Sequence, residues 1–130
     1  MRILLDAMAH IPHISVGDHA LICGILEILS QNFKDAEYTV FCKYPDHERI
    51  YLEKMGFNIK IEQRSSNKYI AAFQLRKLAR ASDLVVSAWG DGYLTHPAHW
   101  MFKKVYFLKG KNSPMALFTP SIGPFAQRGL

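Results

Sequence analysis

Apolar and polar positions change their period several times along the chain, and each change marks an element. Residues 2–7, RILLDA, are a short apolar run of strand length. Residues 18–33 follow as an apolar helix that needs burial nearly all round. Residues 37–43, EYTVFCK, concentrate aromatic and β-branched side chains and predict a second strand. Residues 45–55, PDHERIYLEKM, begin on a proline and stop at Gly56, which reads as a helix with ordinary start and stop signals. Residues 57–63, FNIKIEQ, alternate apolar and polar, as a half-exposed edge strand does. Asn67 is placed to cap a helix running to Arg80, with Ala71, Leu75 and Leu78 on one face and Arg76, Lys77 and Arg80 turned away. Residues 83–89, DLVVSAW, predict a buried fourth strand. Pro97 can open a further helix, with Met101, Val105 and Leu108 as its stripe and Gly110 as its end. Residues 114–124 hold a fifth strand.

Strand and helix alternate with short connections, which argues for parallel pairing through right-handed crossovers. Central strands of such a sheet are covered on both faces and read as apolar throughout. The runs at 2–7 and 83–89 fit that description, whereas 57–63 belongs at an edge. The predicted fold is therefore α/β, a Rossmann-like parallel sheet of five strands in the order 3-2-1-4-5, with helices on both faces. The first and fourth strands are then neighbours where the winding direction reverses. Ligands of open α/β sheets collect there, outside the carboxyl ends of the strands.

Composition narrows the class without changing that picture. At 130 residues, 49% hydrophobic and 12% aromatic, the chain has room for one domain over 1–130 with a real core, and it is not a disordered tail. No apolar run approaches the roughly 20 residues that span a bilayer. The start, MRILLDAMAHIPHI, is a poor secretory signal because its apolar stretch is short and interrupted, so a cytoplasmic location is expected. Cys23 and Cys42 form no Cys-x-x-Cys pair and read as buried reduced thiols. The net charge of +5 is spread without a dense basic stripe, which argues against a nucleic-acid partner.

The chemistry gathers in three loops expected at the carboxyl edge: 8–18 after the first strand, 90–97 after the fourth and 119–128 after the fifth. Gly17, Gly90, Gly92 and Gly123 lie in them, as do Pro12, Pro97, Pro120 and Pro124; these are four of the eight glycines and four of the six prolines. The opposite-edge connections are short and plain. Gly17 and Asp18 stand immediately before the apolar helix, whose N-terminus offers unpaired N–H groups and partial positive charge to an anion or hydroxyl. Asp18 can cap that helix by accepting from the N–H of Leu21, or it can orient a sugar hydroxyl; the residues alone leave both open. Gly90 and Gly92 allow a tight strand-to-helix turn, and Gly123 a loop corner. His10 and His13 sit where a general base could meet a hydroxyl. Trp89, Tyr93 and Trp100 can stack on sugar rings or fill core, and Arg128 can reach an anion or remain solvated. His96 and His99 repeat the three-residue spacing of His10 and His13, but neither pair has the companion ligands of a metal site, and none is expected. Neither a P-loop nor Gly-x-Gly-x-x-Gly is present, so no nucleotide cofactor is expected despite the fold.

Three stretches resemble the polysaccharide pyruvyl transferases: Ser15-Val16-Gly17-Asp18 leading into an apolar helix, Ala88-Trp89-Gly90-Asp91-Gly92 after an apolar strand, and Ser121-Ile122-Gly123-Pro124 after the next. The family has Asn-x-Gly-Asp, a glycine-rich turn and a Gly-Ile-Gly-Pro-like end in the same order, and the likeness runs over essentially the whole chain. Ser15 stands where Asn is usual, Trp89 and Asp91 interrupt the glycine run, and Ser121 replaces a Gly, which puts substrate details in question. The resemblance implies one half of a GT-B-like fold, the N-terminal wall of a cleft whose other wall is a missing C-terminal domain carrying most of the phosphoenolpyruvate-binding residues. It implies transfer of a pyruvyl group from phosphoenolpyruvate to hydroxyls of a saccharide acceptor, free or lipid-linked, in cell-surface polysaccharide synthesis. Asp18 and His13 would then be catalytic, with Ser15, Gly17, Gly90, Asp91, Gly92, Ser121, Gly123 and Arg128 binding substrate. Two rival readings stay open: a non-catalytic scaffold module from a truncated gene, and half of a nucleotide-sugar glycosyltransferase on the same fold.

Overall fold

The computed structural model describes residues 1–7, 16–57, 59–88 and 114–117. In chain order these form β1 (Arg2–Ala7), α1 (Val16–Asn32), β2 (Glu37–Cys42), α2 (Pro45–Lys54), β3 (Lys60–Gln63), α3 (Lys68–Arg80), β4 (Leu84–Ser87) and β5 (Met115–Leu117). The five strands make one sheet in the order β3-β2-β1-β4-β5, and every neighbouring pair is parallel. This is the Rossmann-like α/β arrangement expected from the alternation of strand and helix. The helix expected after Pro97 lies outside the described residues.

The period of two along β1 divides the core between the faces of the sheet. Ile3, Leu5 and Ala7 pack with Ile22, Ile25, Leu26 and Leu29 of α1 and Leu52 of α2. Leu4 turns the other way and joins Phe41, Val85, and Leu75 and Ala79 of α3. Each such buried aliphatic or aromatic side chain contributes about 1.5–3 kcal/mol relative to exposure. At the amino edge, Arg2 N donates to Asp83 Oδ2 at 2.7 Å and Asp83 N to the Arg2 carbonyl at 2.8 Å, which fixes how β4 enters the sheet beside β1.

Two elements differ from expectation in ways the local bonding explains. β3 is shorter than 57–63, because Phe57 belongs to the end of α2: its N–H donates to the Leu52 carbonyl at 2.9 Å, and that of Gly56 to the Glu53 carbonyl at 3.0 Å. With Gly56 at φ 82 this is a Schellman closure, in which the left-handed residue is a glycine for want of a Cβ. Helix α1 is not buried all round. His19, Ile22, Cys23, Ile25, Leu26 and Leu29 face the core, while Ala20, Gly24, Glu27 and Ile28 are exposed. The helix also begins at Val16, two residues before Asp18, a displacement of the size that fraying termini produce. The cap of α3 is as expected, with Asn67 Oδ1 accepting from Tyr69 N at 2.9 Å and Ile70 N at 3.2 Å. Ala71 and Leu75 are buried beneath that helix and Ala79 extends the stripe. Among the described residues, no helix is long and apolar enough to cross a membrane.

Candidate functional site at the carboxyl edge

In a parallel sheet all carboxyl ends lie at one edge, and registration sets which of them are neighbours. Asp6 pairs with Ser87, and Ser87 with Leu117. The strands that feed the loops after β1, β4 and β5 therefore finish side by side, around the position where β1 and β4 meet and the winding reverses. Ala88 N donates to the Asp6 carbonyl at 3.1 Å and extends this contact past the end of β4.

Helix α1 starts at this edge. The backbone of Gly17 and Asp18 occupies its first turn, where free N–H groups and the helix dipole favour an anion or a hydroxyl oxygen. His13, Ser15, Gly90, Asp91, Gly92, Ser121, Gly123 and Arg128 lie outside the described residues, as do His10, Trp89, Tyr93, His96, His99 and Trp100. Of the ten residues proposed to bind or react, the described structure thus locates Gly17 and Asp18.

Sequence reasoning passed over four buried polar side chains near the same edge: Asp6, Ser87, His19 and Glu48. Asp6 is fully buried and Ser87 nearly so. By alternation along their strands both lie on the α3 side of the sheet, between Phe41 and the end of β5. A signal was present, since a carboxylate inside an otherwise apolar central strand is costly to bury and needs a reason. On the opposite side His19, one residue beyond Asp18, meets Glu48 of α2. His19 Nδ1 is 3.4 Å from Glu48 Oε2, a close polar contact rather than a well-directed hydrogen bond. The imidazole stacks on Tyr51 with ring centroids 4.3 Å apart and planes 18° from parallel. These contacts tie the N-terminal part of α1 to that of α2.

Cys23 and Cys42 are buried free thiols in the same region, in accord with their sequence reading. Burial, and then the Glu48 carboxylate, push the Cys42 thiol up to about 12, against a smaller opposing effect of a hydrogen bond with the Tyr44 backbone. Burial and Glu48 raise the Cys23 thiol as well. Neither is a nucleophile at neutral pH, because the thiolate is the reactive form. Among the described residues, no group of three or more His, Cys, Asp or Glu side chains could hold a metal ion.

A family model described as polysaccharide pyruvyl transferase matches residues 16–130. No curated protein sequence matches the chain. Among solved structures, apo histidine-tagged saccharopine dehydrogenase (L-Glu forming) from Saccharomyces cerevisiae is similar, with a TM-score of 0.54 and 16% identity over 89% of this chain. The match spans 21% of that chain. At such identity the likeness concerns the fold, a dehydrogenase domain of Rossmann type, and carries no activity with it.

Proposed function

The chain belongs to the polysaccharide pyruvyl transferase family, and on that premise we propose that it forms one wall of a cleft in which phosphoenolpyruvate gives its pyruvyl group to a saccharide. The observation that carries this reading is the family match over 16–130, which takes in Gly17-Asp18, the Gly90–Gly92 turn and the Ser121–Pro124 stretch in their order. Its support from geometry is the meeting of β1, β4 and β5 at one edge beside the first turn of α1.

In the proposed reaction, one acceptor hydroxyl adds to the central carbon of the enol and the methylene carbon takes a proton. Inorganic phosphate leaves with its bridging oxygen, and a second hydroxyl closes the ketal. Asp18 orients or deprotonates the acceptor hydroxyl with His13 as the acid–base partner. Ser15, Gly17, Gly90, Asp91 and Gly92 surround the acceptor, Ser121 and Gly123 shape the floor, and Arg128 faces the anion. A GT-B-like C-terminal domain supplies the other wall, and the acceptor belongs to cytoplasmic assembly of an exopolysaccharide. Positioning of this kind can supply roughly 7–11 kcal/mol of barrier lowering, which one wall alone forgoes, so the 130-residue chain by itself is inactive.

Substitution of Asp18 in the full-length enzyme tests the reading. Asp18→Asn removes a first-turn charge worth about 0.3–1 kcal/mol to the helix and leaves the fold intact. If the carboxylate acts on the acceptor, the rate falls by roughly 10²–10⁴. Full activity in a folded Asp18→Asn enzyme would refute the role.

A further inference from the structure

The outward face of α3 is the least ordinary surface among the described residues. Its inner stripe, Ala71, Leu75 and Ala79, is already committed to the core. Its outer side nonetheless carries Tyr69 at 68%, Ile70 at 53% and Phe73 at 69% exposure, three large apolar residues within five positions. Elsewhere the exposed large apolar residues of the helices are fewer and farther apart: Ile28 on α1 with Phe33 just beyond its end, and Ile50 on α2 with Met55 just beyond its end. Isolated ones are ordinary, whereas a contiguous set rimmed by polar groups marks an interaction surface.

The rim here has one sign. α3 reads KYIAAFQLRKLAR, with four cations and no acid. Lys77 follows Phe73 by four positions and Arg80 follows Lys77 by three, both exposed, so these two cations continue the line that Tyr69 and Phe73 begin. Lys68 Nζ sits 5.1 Å from the Tyr69 ring centroid. An apolar ridge that runs into a row of cations is suited to the boundary of an anionic bilayer: rings enter between headgroups while guanidinium and ammonium groups meet lipid phosphates. The net charge of +5 acts in the same direction.

We infer that the outer face of α3 is a peripheral docking surface for anionic phospholipid membranes. It lies flat on the headgroups and does not span them. Helices of this fold begin at the carboxyl edge of the sheet, so Tyr69, Ile70 and Phe73 are the end of the ridge nearer the candidate site. The inference stands whether or not the pyruvyl transfer reading does.

Sedimentation of the chain with vesicles tests it. The chain is expected to sediment with phosphatidylcholine vesicles that contain phosphatidylglycerol, to stay in solution with phosphatidylcholine alone, and to be released as salt screens the charges. Each cation near such a surface contributes roughly five-fold in partitioning, and reversal removes attraction and adds repulsion. Lys77→Glu with Arg80→Glu is therefore expected to weaken binding at least about 25-fold, and Phe73→Ser to weaken it with no change of charge. Lys34→Glu with Lys54→Glu, exposed positions off α3, alters net charge equally and is expected to have a much smaller effect. Three results would overturn the inference: no sedimentation with anionic vesicles, equal loss in the two charge-reversed pairs, or lipid-free self-association that Phe73→Ser abolishes.

Discussion

Raising the pH should destabilise this chain through Cys42 before most of its lysines titrate. The thiol is 1% exposed and is pushed up to about 12 from 9.0, first by burial and then by Glu48. At pH 8 an ordinary thiol is about one-tenth thiolate and one titrating near 12 about one part in ten thousand, roughly a 1,000-fold deficit. Higher basicity returns about 15–30-fold in nucleophilicity, which leaves labelling some 30–70-fold slower on electronic grounds alone. The buried sulfur adds a steric barrier, so attack awaits local opening. The folded value lies above the unfolded one, so the stabilisation is fully present below pH 9 and is lost as pH rises through 9 to 12. About 1.4 kcal/mol disappears by pH 10, and about 4 kcal/mol by the end of the titration. A Cys23→Ala background isolates Cys42 for labelling with an aromatic disulfide at pH 8. Urea midpoints at pH 7 and 10, with and without Cys42→Ala, read the linkage. Labelling of the folded chain as fast as in urea, or an alkaline slope unchanged by Cys42→Ala, would refute the reasoning.

Other substitutions probe the scaffold. Gly24 lies on the exposed side of α1, where an added Cβ meets nothing within 4 Å, so Gly24→Ala should add about 0.5–1 kcal/mol by urea denaturation. A loss of stability there would mean that the outer face of α1 is covered. Asn67→Ala removes the acceptor of two helix-start bonds and should cost about 0.5–2 kcal/mol. Asn67→Asp should match or exceed the parent, since the first turn of α3 has no acid of its own.

The parts of the fold that depend on period and punctuation were legible in the sequence. Apolar runs at 2–7 and 83–89 located the central strands, the alternation of 57–63 located the edge, and Asn67 and Gly56 marked helix ends. Strand order followed from short βα connections. The exposed stripe of α1 was not legible, because Ala20, Gly24 and Ile28 differ little in polarity from the residues they alternate with. The His19–Glu48 contact joins helices whose relation no local periodicity encodes. Asp6 could have been flagged, since it is a carboxylate in the interior of a strand read as buried on both faces. For the candidate site, glycine and proline clustering pointed to three loops, and the strands that lead into them, β1, β4 and β5, end side by side. Which loop side chains would approach a ligand is a matter of tertiary placement that clustering does not encode.

The most direct test of pyruvyl transfer is product analysis by mass spectrometry and carbon NMR. The full-length protein is incubated with phosphoenolpyruvate and a panel of saccharides, with nucleotide-sugars as the competing donors. The account predicts inorganic phosphate released only when a saccharide acceptor is present, and an acceptor that carries a pyruvate ketal across two former hydroxyls. Glycosyl transfer from a nucleotide-sugar, with phosphoenolpyruvate left intact, would contradict it.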